Sequence, residues 1–395
     1  MRRRTAMAAV AATTLLGGTG AAQPAPASLD SWLRPTLASH GLPAIAAAVL
    51  REGRVVAAGA VGTRRAGAAI PVTLEDRFHI GSCTKAFTAL LAGMLVDERR
   101  IGWDTTIGAS FPELREGMDA GLAGVTLEQL LSHVGGIPGD TEAIVGLYVN
   151  AGIQDDLNLD EMRRWLIGQW RGRPLASPPG TRFAYSNLGF LIAGAMLERA
   201  AGATWEELVT ARIFGPLGLR TAGIGPGATV GRVDAPLGHE VRPDGALKPM
   251  LAGPNGDAPL VISPAGTVHM SILDFAAWAG WHAGAGRRGP ALVRPETLRR
   301  LHAKVIAIPP RPGAAPGTPE GGGAYGHGWG FLAPPWARGE VMQHTGSNSM
   351  NLAMVLVQPE RDFALVLATN RPDAQADAAL KALLEGLYRE FAPKV

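Results

Sequence analysis

The chain has 395 residues, 47% of them apolar, 18% charged and 6% aromatic. That is enough apolar material for a large core, and it excludes a disordered or acidic-tail protein. The 52 glycines and 30 prolines follow no G-X-Y period, which excludes a collagen-like chain and requires many turns. The only cysteine, Cys83, rules out an intramolecular disulfide and a cysteine-based zinc cluster. The formal net charge of +3 depends on Arg2, Arg3 and Arg4, since residues 1–27 contain no acidic residue. Without these three the 37 basic residues fall to 34, equal to the acidic ones, and no electrostatic case for nucleic acid remains.

The N-terminus reads as an export signal. Arg2–Arg4 form a basic start, Ala6–Leu16 a short apolar run, and small residues follow through Gly17–Ala22 and Ala25–Ala27. The run is too short for a bilayer, which needs about 20 residues. The expectation is a signal peptide over 1–27, cleaved between Ala22 and Ala27. The mature protein would then be periplasmic or secreted, with no stable membrane anchor.

Ala44–Leu50 and Val55–Val61, split by Arg51-Glu52-Gly53-Arg54, predict a β-hairpin. From Ser82 the pattern becomes helical, with Phe87, Leu90, Leu91, Met94 and Leu95 at helical spacing. Further helices are expected at Leu127–His133, Leu159–Trp170, Leu188–Ala200 and Trp205–Ile213. Strands return at Val341–Thr345, Leu352–Gln358 and Phe363–Thr369, and Asp373–Phe391 closes the chain as an amphipathic helix. Strands at both ends around a helical middle imply an α+β fold, one antiparallel sheet built from both termini with a mostly helical lobe inserted. Residues 309–323, rich in Pro and Gly, should hold no regular element and form a mobile surface loop.

Several motifs fail. Gly284–Gly289 matches G-x-G-x-x-G, but it follows a Trp/Ala-rich helical stretch and precedes Pro290, so it is a loop and not a dinucleotide turn. There is no phosphate-binding loop, no H-E-x-x-H and no G-x-S-x-G, and the nine histidines are scattered. No cofactor or metal is expected.

Three short elements carry chemistry. Ser82-Cys83-Thr84-Lys85 is S-x-x-K, and residues three apart share a helical face, so the Lys85 ammonium can reach the Ser82 hydroxyl. A first-turn position adds the positive end of the helix dipole, which favours a developing alkoxide. With 12 serines and five lysines, chance would supply roughly 0.15 such pairs, so the pair alone is a weak filter. Gly81 before the serine and the apolar helix after it sharpen the signal.

Tyr185-Ser186-Asn187 follows a Pro-Pro-Gly turn. A tyrosine beside a cation can relay a proton, and an amide can hold both a lysine and a substrate carbonyl. Tyr148-Val149-Asn150 has the same Y-x-N form, so pattern alone does not choose. His344-Thr345-Gly346-Ser347 ends a strand, where a small Thr-Gly pair lets a substrate backbone pair with the edge.

Together and in this order the three elements resemble the serine β-lactamase and DD-peptidase family, marked by S-x-x-K, a Tyr- or Ser-led motif ending in Asn, and K-T-G. The Tyr-x-Asn form points to the branch holding class C β-lactamases, some DD-carboxypeptidases, D-aminopeptidases and family VIII esterases. Leu130–His133, Pro179–Asn187 and Ser263–Gly266 extend the resemblance over most of residues 30–390, and the Pro-Gly context selects Tyr185.

The resemblance implies a β-lactamase-like domain over 28–395. Its α/β lobe would take about 28–110 and 260–395, and its helical lobe about 111–259. It implies Ser82 as the acylated nucleophile, Lys85 and Tyr185 sharing the proton work, and Asn187 orienting the acyl group. The backbone N–H groups of Ser82 and Ser347 would bind the oxyanion, with His344, Thr345 and Gly346 lining the substrate. His344 departs from K-T-G, and an imidazole is largely neutral at pH 7 where lysine is a permanent cation, which lowers the case for an efficient β-lactamase. Cys83, His133 and Trp205 are expected to be structural. The expected partner is a small-molecule or peptide substrate, hydrolysed at an amide or ester bond. The alternative is a slow penicillin-binding or sensor module that acylates without turnover.

Overall fold

The structure, a computed structural model, describes residues 25–154, 156–253, 256–314 and 321–394. The basic start and apolar run of the expected signal lie outside the described residues. Among those that are described, no helix is long and apolar enough to cross a membrane.

A nine-stranded sheet organises the chain. Its strands are β1 (Ala27–Ser28), β2 (Ala44–Arg51), β3 (Arg54–Gly62), β4 (Ile306–Ile308), β5 (Gly323–Tyr325), β6 (Gly330–Leu332), β7 (Val341–Ser347), β8 (Leu352–Gln358) and β9 (Phe363–Thr369), in the order β1-β3-β2-β9-β8-β7-β6-β5-β4. The expected hairpin is β2–β3, and β9 joins the two chain ends by pairing with β2 from Phe363↔Arg51 to Thr369↔Ile45. All pairs are antiparallel except β1–β3, which is parallel. Gly323 belongs to β5, so strand structure begins inside the stretch expected to be irregular, of which 315–320 lie outside the described residues.

The helices used below are α1 (Asp30–His40), α2 (Lys85–Asp97), α3 (Glu142–Ala151), α4 (Leu159–Trp170), α5 (Asn187–Ala201), α6 (Trp205–Val209), α7 (Ile272–Ala283) and α8 (Ala374–Phe391). Side chains alternate across a strand, so β2, β8 and β9 feed two cores. Ile45, Ala47, Val49, Leu365 and Leu367 face α1 and α8, while Ala46, Ala48, Val366 and Ala368 face α7 and join the core that it shares with α2 and α5. Both sheet faces are covered, which is why β2 reads as an unbroken apolar run.

Helix α2 is buried all round from Lys85 to Leu95, so its spaced large residues do not mark a core face against a solvent face. Its neighbour α5 is buried from Leu188 to Glu198. Where helices meet without solvent, a polar group must find its partner inside. Arg163 of α4 is fully buried and bonds both Glu198 and Glu206, and its Nε donates to the Val261 carbonyl at 2.9 Å. This cluster joins α4, α5 and α6 to the turn Leu260–Ile262, which runs directly into Ser263–Gly266 beside the site. Burial pushes the Glu198 carboxyl up to about 7, against the pull of Arg163.

Removing one member of a buried ion cluster strands the others. Arg163→Ala is expected to cost about 3–5 kcal/mol of stability, read as a lower urea midpoint, and an unchanged midpoint would contradict this reading.

Candidate active site

Ser82 lies in a 3₁₀ turn, Gly81–Thr84, and α2 begins only at Lys85. The sequence placed Ser82 in the first turn of the α-helix, whereas it sits in the tighter turn that leads into it. Lys85 is fully buried. Its Nζ donates to Ser82 Oγ at 3.1 Å, Asn187 Oδ1 at 2.7 Å and the Ala265 carbonyl at 2.7 Å. Burial lowers its pKa to about 7, while the Asp140 carboxylate opposes the shift. A neutral amine keeps two N–H donors, which Asn187 and Ala265 can accept, and its lone pair then faces Ser82 Oγ.

Tyr185 sits on the loop before α5 with its ring half-exposed, 4.7 Å from Lys85 Nζ. Its hydroxyl is hydrogen-bonded to Ser82, and burial of that hydroxyl raises its pKa, so the phenol holds its proton at neutral pH. His133 Nδ1 accepts the Ser186 N–H at 3.1 Å, and the His133 ring lies 4.3 Å from that of Tyr185. His133 itself has φ +59, the left-handed region, and its carbonyl accepts the Ala184 N–H. It therefore braces the Tyr185 loop from both sides. Trp205 is also a brace: its indole N–H donates to Thr88 Oγ1, which in turn donates to the Pro264 carbonyl.

Asn187 opens α5 and turns its Oδ1 to Lys85, because its Nδ2 donates to Asp140 Oδ2 at 2.7 Å. A carboxylate can only accept, so Asp140 fixes which end of the amide meets the lysine. The other Asp140 oxygen accepts from Tyr148 at 2.9 Å. The second Y-x-N motif thus supplies a tyrosine one carboxylate away from Asn187 and not at Ser82. Asp140 was not legible in the sequence, where an acid just before Thr141, the N-cap of α3, reads as an ordinary helix start.

The end of β7 closes the other side. β6 pairs with β7 only from Val341 to Gln343, and among the described residues no strand pairs with Thr345–Ser347 on that edge. Gly81 and Gly346 set how closely this edge approaches Ser82. A Cβ on Gly346 would stand 1.9 Å from the Ile80 carbonyl and 2.7 Å from Ser82 N, and one on Gly81 would stand 2.3 Å from Ser347 N. Gly81 also has φ +51, which L side chains rarely adopt. These close approaches bring the backbones of Ser82 and Ser347 side by side.

His344 and Thr345 point to opposite faces of the sheet, as pleating requires. His344 pairs with Val355 of the α2-side core, and Thr345 pairs with Met354 of the α8-side core, so only the Thr345 backbone faces the cleft. His344 is buried, its Nδ1–H donating to the Thr345 carbonyl at 2.7 Å and its Nε2 accepting from Tyr325 at 3.0 Å. Burial, with Lys85 nearby, lowers its pKa to about 3, so the ring is neutral well below pH 7. The fixed cation of K-T-G is absent from this position. Cys83 is buried with its thiol against the His344 carbonyl, and burial pushes its pKa up, as an inert packing residue requires.

The sheet, the S-x-x-K turn and the strand edge left unpaired among the described residues have the arrangement of a β-lactamase-type fold. The Beta-lactamase family model matches residues 29–389, and the chain belongs to this family. It is 27% identical over 347 residues to penicillin-binding protein 4 of Amycolatopsis lactamdurans, covering 84% of this chain and 81% of that one. It is 29% identical over 349 residues to esterase EstB of Burkholderia gladioli, covering 77% and 86%. Among solved structures, the octameric penicillin-binding protein homologue from Pyrococcus abyssi superposes with a TM-score of 0.71 at 25% identity, over 90% of this chain and 76% of that one.

Asp140 raises the pKa of Lys85, so Asp140→Asn should lower it and let the amine form persist at lower pH. The acid limb of fluorophosphonate labelling against pH is expected to move downward in this variant. An unmoved or upward-shifted limb would contradict the coupling.

Proposed function

We propose that the protein is an exported serine hydrolase that cleaves amide or ester bonds through an acyl-enzyme at Ser82. The observation that carries this reading is the buried Lys85 amine, 3.1 Å from Ser82 Oγ, with its two other partners both acceptors. A base whose pKa lies near the working pH is the most effective one, and Lys85 at about 7 meets that condition where the raised Tyr185 phenol does not.

In this reading Lys85 takes the Ser82 proton as Oγ attacks the substrate carbonyl. The carbonyl electron pair moves to oxygen, where the Ser82 and Ser347 N–H groups bind it. Each such donor is worth ~10²–10³ in rate. The intermediate collapses as the C–O or C–N bond breaks, and the protonated Lys85 returns the proton to the leaving group through Tyr185. Water then attacks the acyl-enzyme by the same route and frees Ser82. Asn187 orients the acyl group, and the unpaired edge Thr345–Ser347 receives the substrate backbone.

The names of the relatives, a penicillin-binding protein and an esterase, support this class of bond cleavage. The neutral His344 leaves the strand edge without the cation that would attract the carboxylate of a β-lactam or a peptide, which lowers the case for an efficient β-lactamase. Export rests on the basic and apolar pattern of residues 1–27, and the working unit would be residues 28–395.

Turnover of p-nitrophenyl esters and D-amino-acid peptides by the mature protein is expected to fall by on the order of 10⁴ or more in Ser82→Ala. Unchanged turnover would remove Ser82 from the mechanism. A lasting penicillin adduct on Ser82 without turnover of either substrate class would favour the sensor reading.

A further inference from the structure

His79, Asp257 and Asn348 take no part in the mechanism above, and no sequence motif marks them. They form a polar group behind the Ser82 turn, with the His79 and Asp257 side chains buried and Asn348 half-buried. His79 Nδ1 accepts the Gly81 N–H at 3.1 Å, so in the neutral ring Nε2 carries the proton. That Nε2 lies 3.1 Å from Asp257 Oδ1, a close electrostatic contact without hydrogen-bond alignment, with both side chains almost fully buried. The same Asp257 oxygen accepts from Asn348 Nδ2 at 2.7 Å. Asn348 cannot turn its amide over, because its Oδ1 accepts from the backbone N–H groups of Met350 and Asn351.

The positions matter more than the contacts. Gly81 immediately precedes Ser82, and Asn348 immediately follows Ser347. The two residues whose backbone N–H groups would face the oxyanion are therefore each tied, one residue away, to a single buried carboxylate. Left-handed residues lie close to both, Gly81 at φ +51 next to Ser82 and Ser349 at φ +67 two residues after Ser347, so small rotations there would re-aim the donors. Burial alone would raise the Asp257 carboxyl, but His79 and the N–H donors of Asn348 and Ala258 hold it below the usual carboxylate range. It stays a carboxylate at neutral pH, accepting from Asn348 on one side of the cleft and in electrostatic contact with His79 on the other.

We infer that His79 and Asp257 are positioning residues of this hydrolase: through Gly81 and Asn348 they clasp the Ser82 turn to the end of β7 and set the spacing of the two oxyanion donors. The inference rests on the acyl-enzyme reading, since it is the oxyanion that such spacing would serve. A clasp of this kind acts on the transition state and leaves ground-state binding nearly unchanged. It also acts as one unit, so breaking it at either end should cost the same.

The test compares His79→Asn, Asp257→Asn and the double variant with the unmodified protein. His79→Asn retains an acceptor for the Gly81 N–H and loses the link to Asp257, whereas Asp257→Asn keeps size and loses the charge. In each, kcat for a p-nitrophenyl ester is expected to fall roughly ten- to hundredfold, with KM within about threefold. Affinity for a boronic acid, which forms a tetrahedral adduct on the serine, should fall in parallel, and the double variant should be no worse than the poorer single one. Full activity in either folded single variant, or additive losses in the double one, would overturn the clasp and leave the hydrolase reading standing. If one single variant does not fold, the other carries the test. An unmodified protein that neither turns over esters nor labels with fluorophosphonate would overturn both.

Discussion

The site depends on the burial of one amine. Lys85 sits among apolar helices, where an ammonium loses its hydration, and three acceptors return only part of that loss. The opposing pull of Asp140 leaves the pKa near 7, between an inert ammonium and an amine too weak to take a proton. Much of the surrounding structure serves that balance. Asp140 and Tyr148 orient the Asn187 amide, while Trp205, Thr88 and the Arg163 cluster hold the turns that carry the Ala265 carbonyl.

A second constraint is steric and falls on the backbone. Two glycines let the Ser82 turn and the end of β7 come within van der Waals contact, where a side chain on either would strike backbone atoms. Because β6 stops pairing at Gln343, the same edge is open to a substrate. The sheet therefore supplies the rigid half of the cleft, and helices α2 and α5 bring Lys85 and Asn187 to the other half. His344 belongs to the rigid half: neutral and held between Tyr325 and its own strand, it fills the position where a lysine would project charge.

Much of this was legible in the sequence, and the residues that were not share a cause. The strands Leu352–Gln358 and Phe363–Thr369 and the helix Leu159–Trp170 have the ends that apolar runs and polar turns predicted. The three motifs exposed Ser82, Lys85, Tyr185 and Asn187, and the structure brings all four together. Asp140, His79 and Asp257 escaped because each acts across a long separation in the chain, and locally each looks like a helix start, a strand residue or a loop acid. The α2 periodicity correctly predicted a helix, although one covered on every side has no solvent face to reveal. The parallel pairing of β1 with β3 involves two residues each, too few for any periodic signal.

The most direct test of the account is to titrate the lysines. Only five exist, so a protein labelled with ¹³C at lysine Cε should give five assignable signals, with Lys85→Met identifying the one of interest. The account predicts that the Lys85 signal titrates near pH 7. A Lys85 signal that titrates near the value of free lysine, about 10.4, would mean an ammonium beside Ser82 at neutral pH, and would contradict Lys85 as the base.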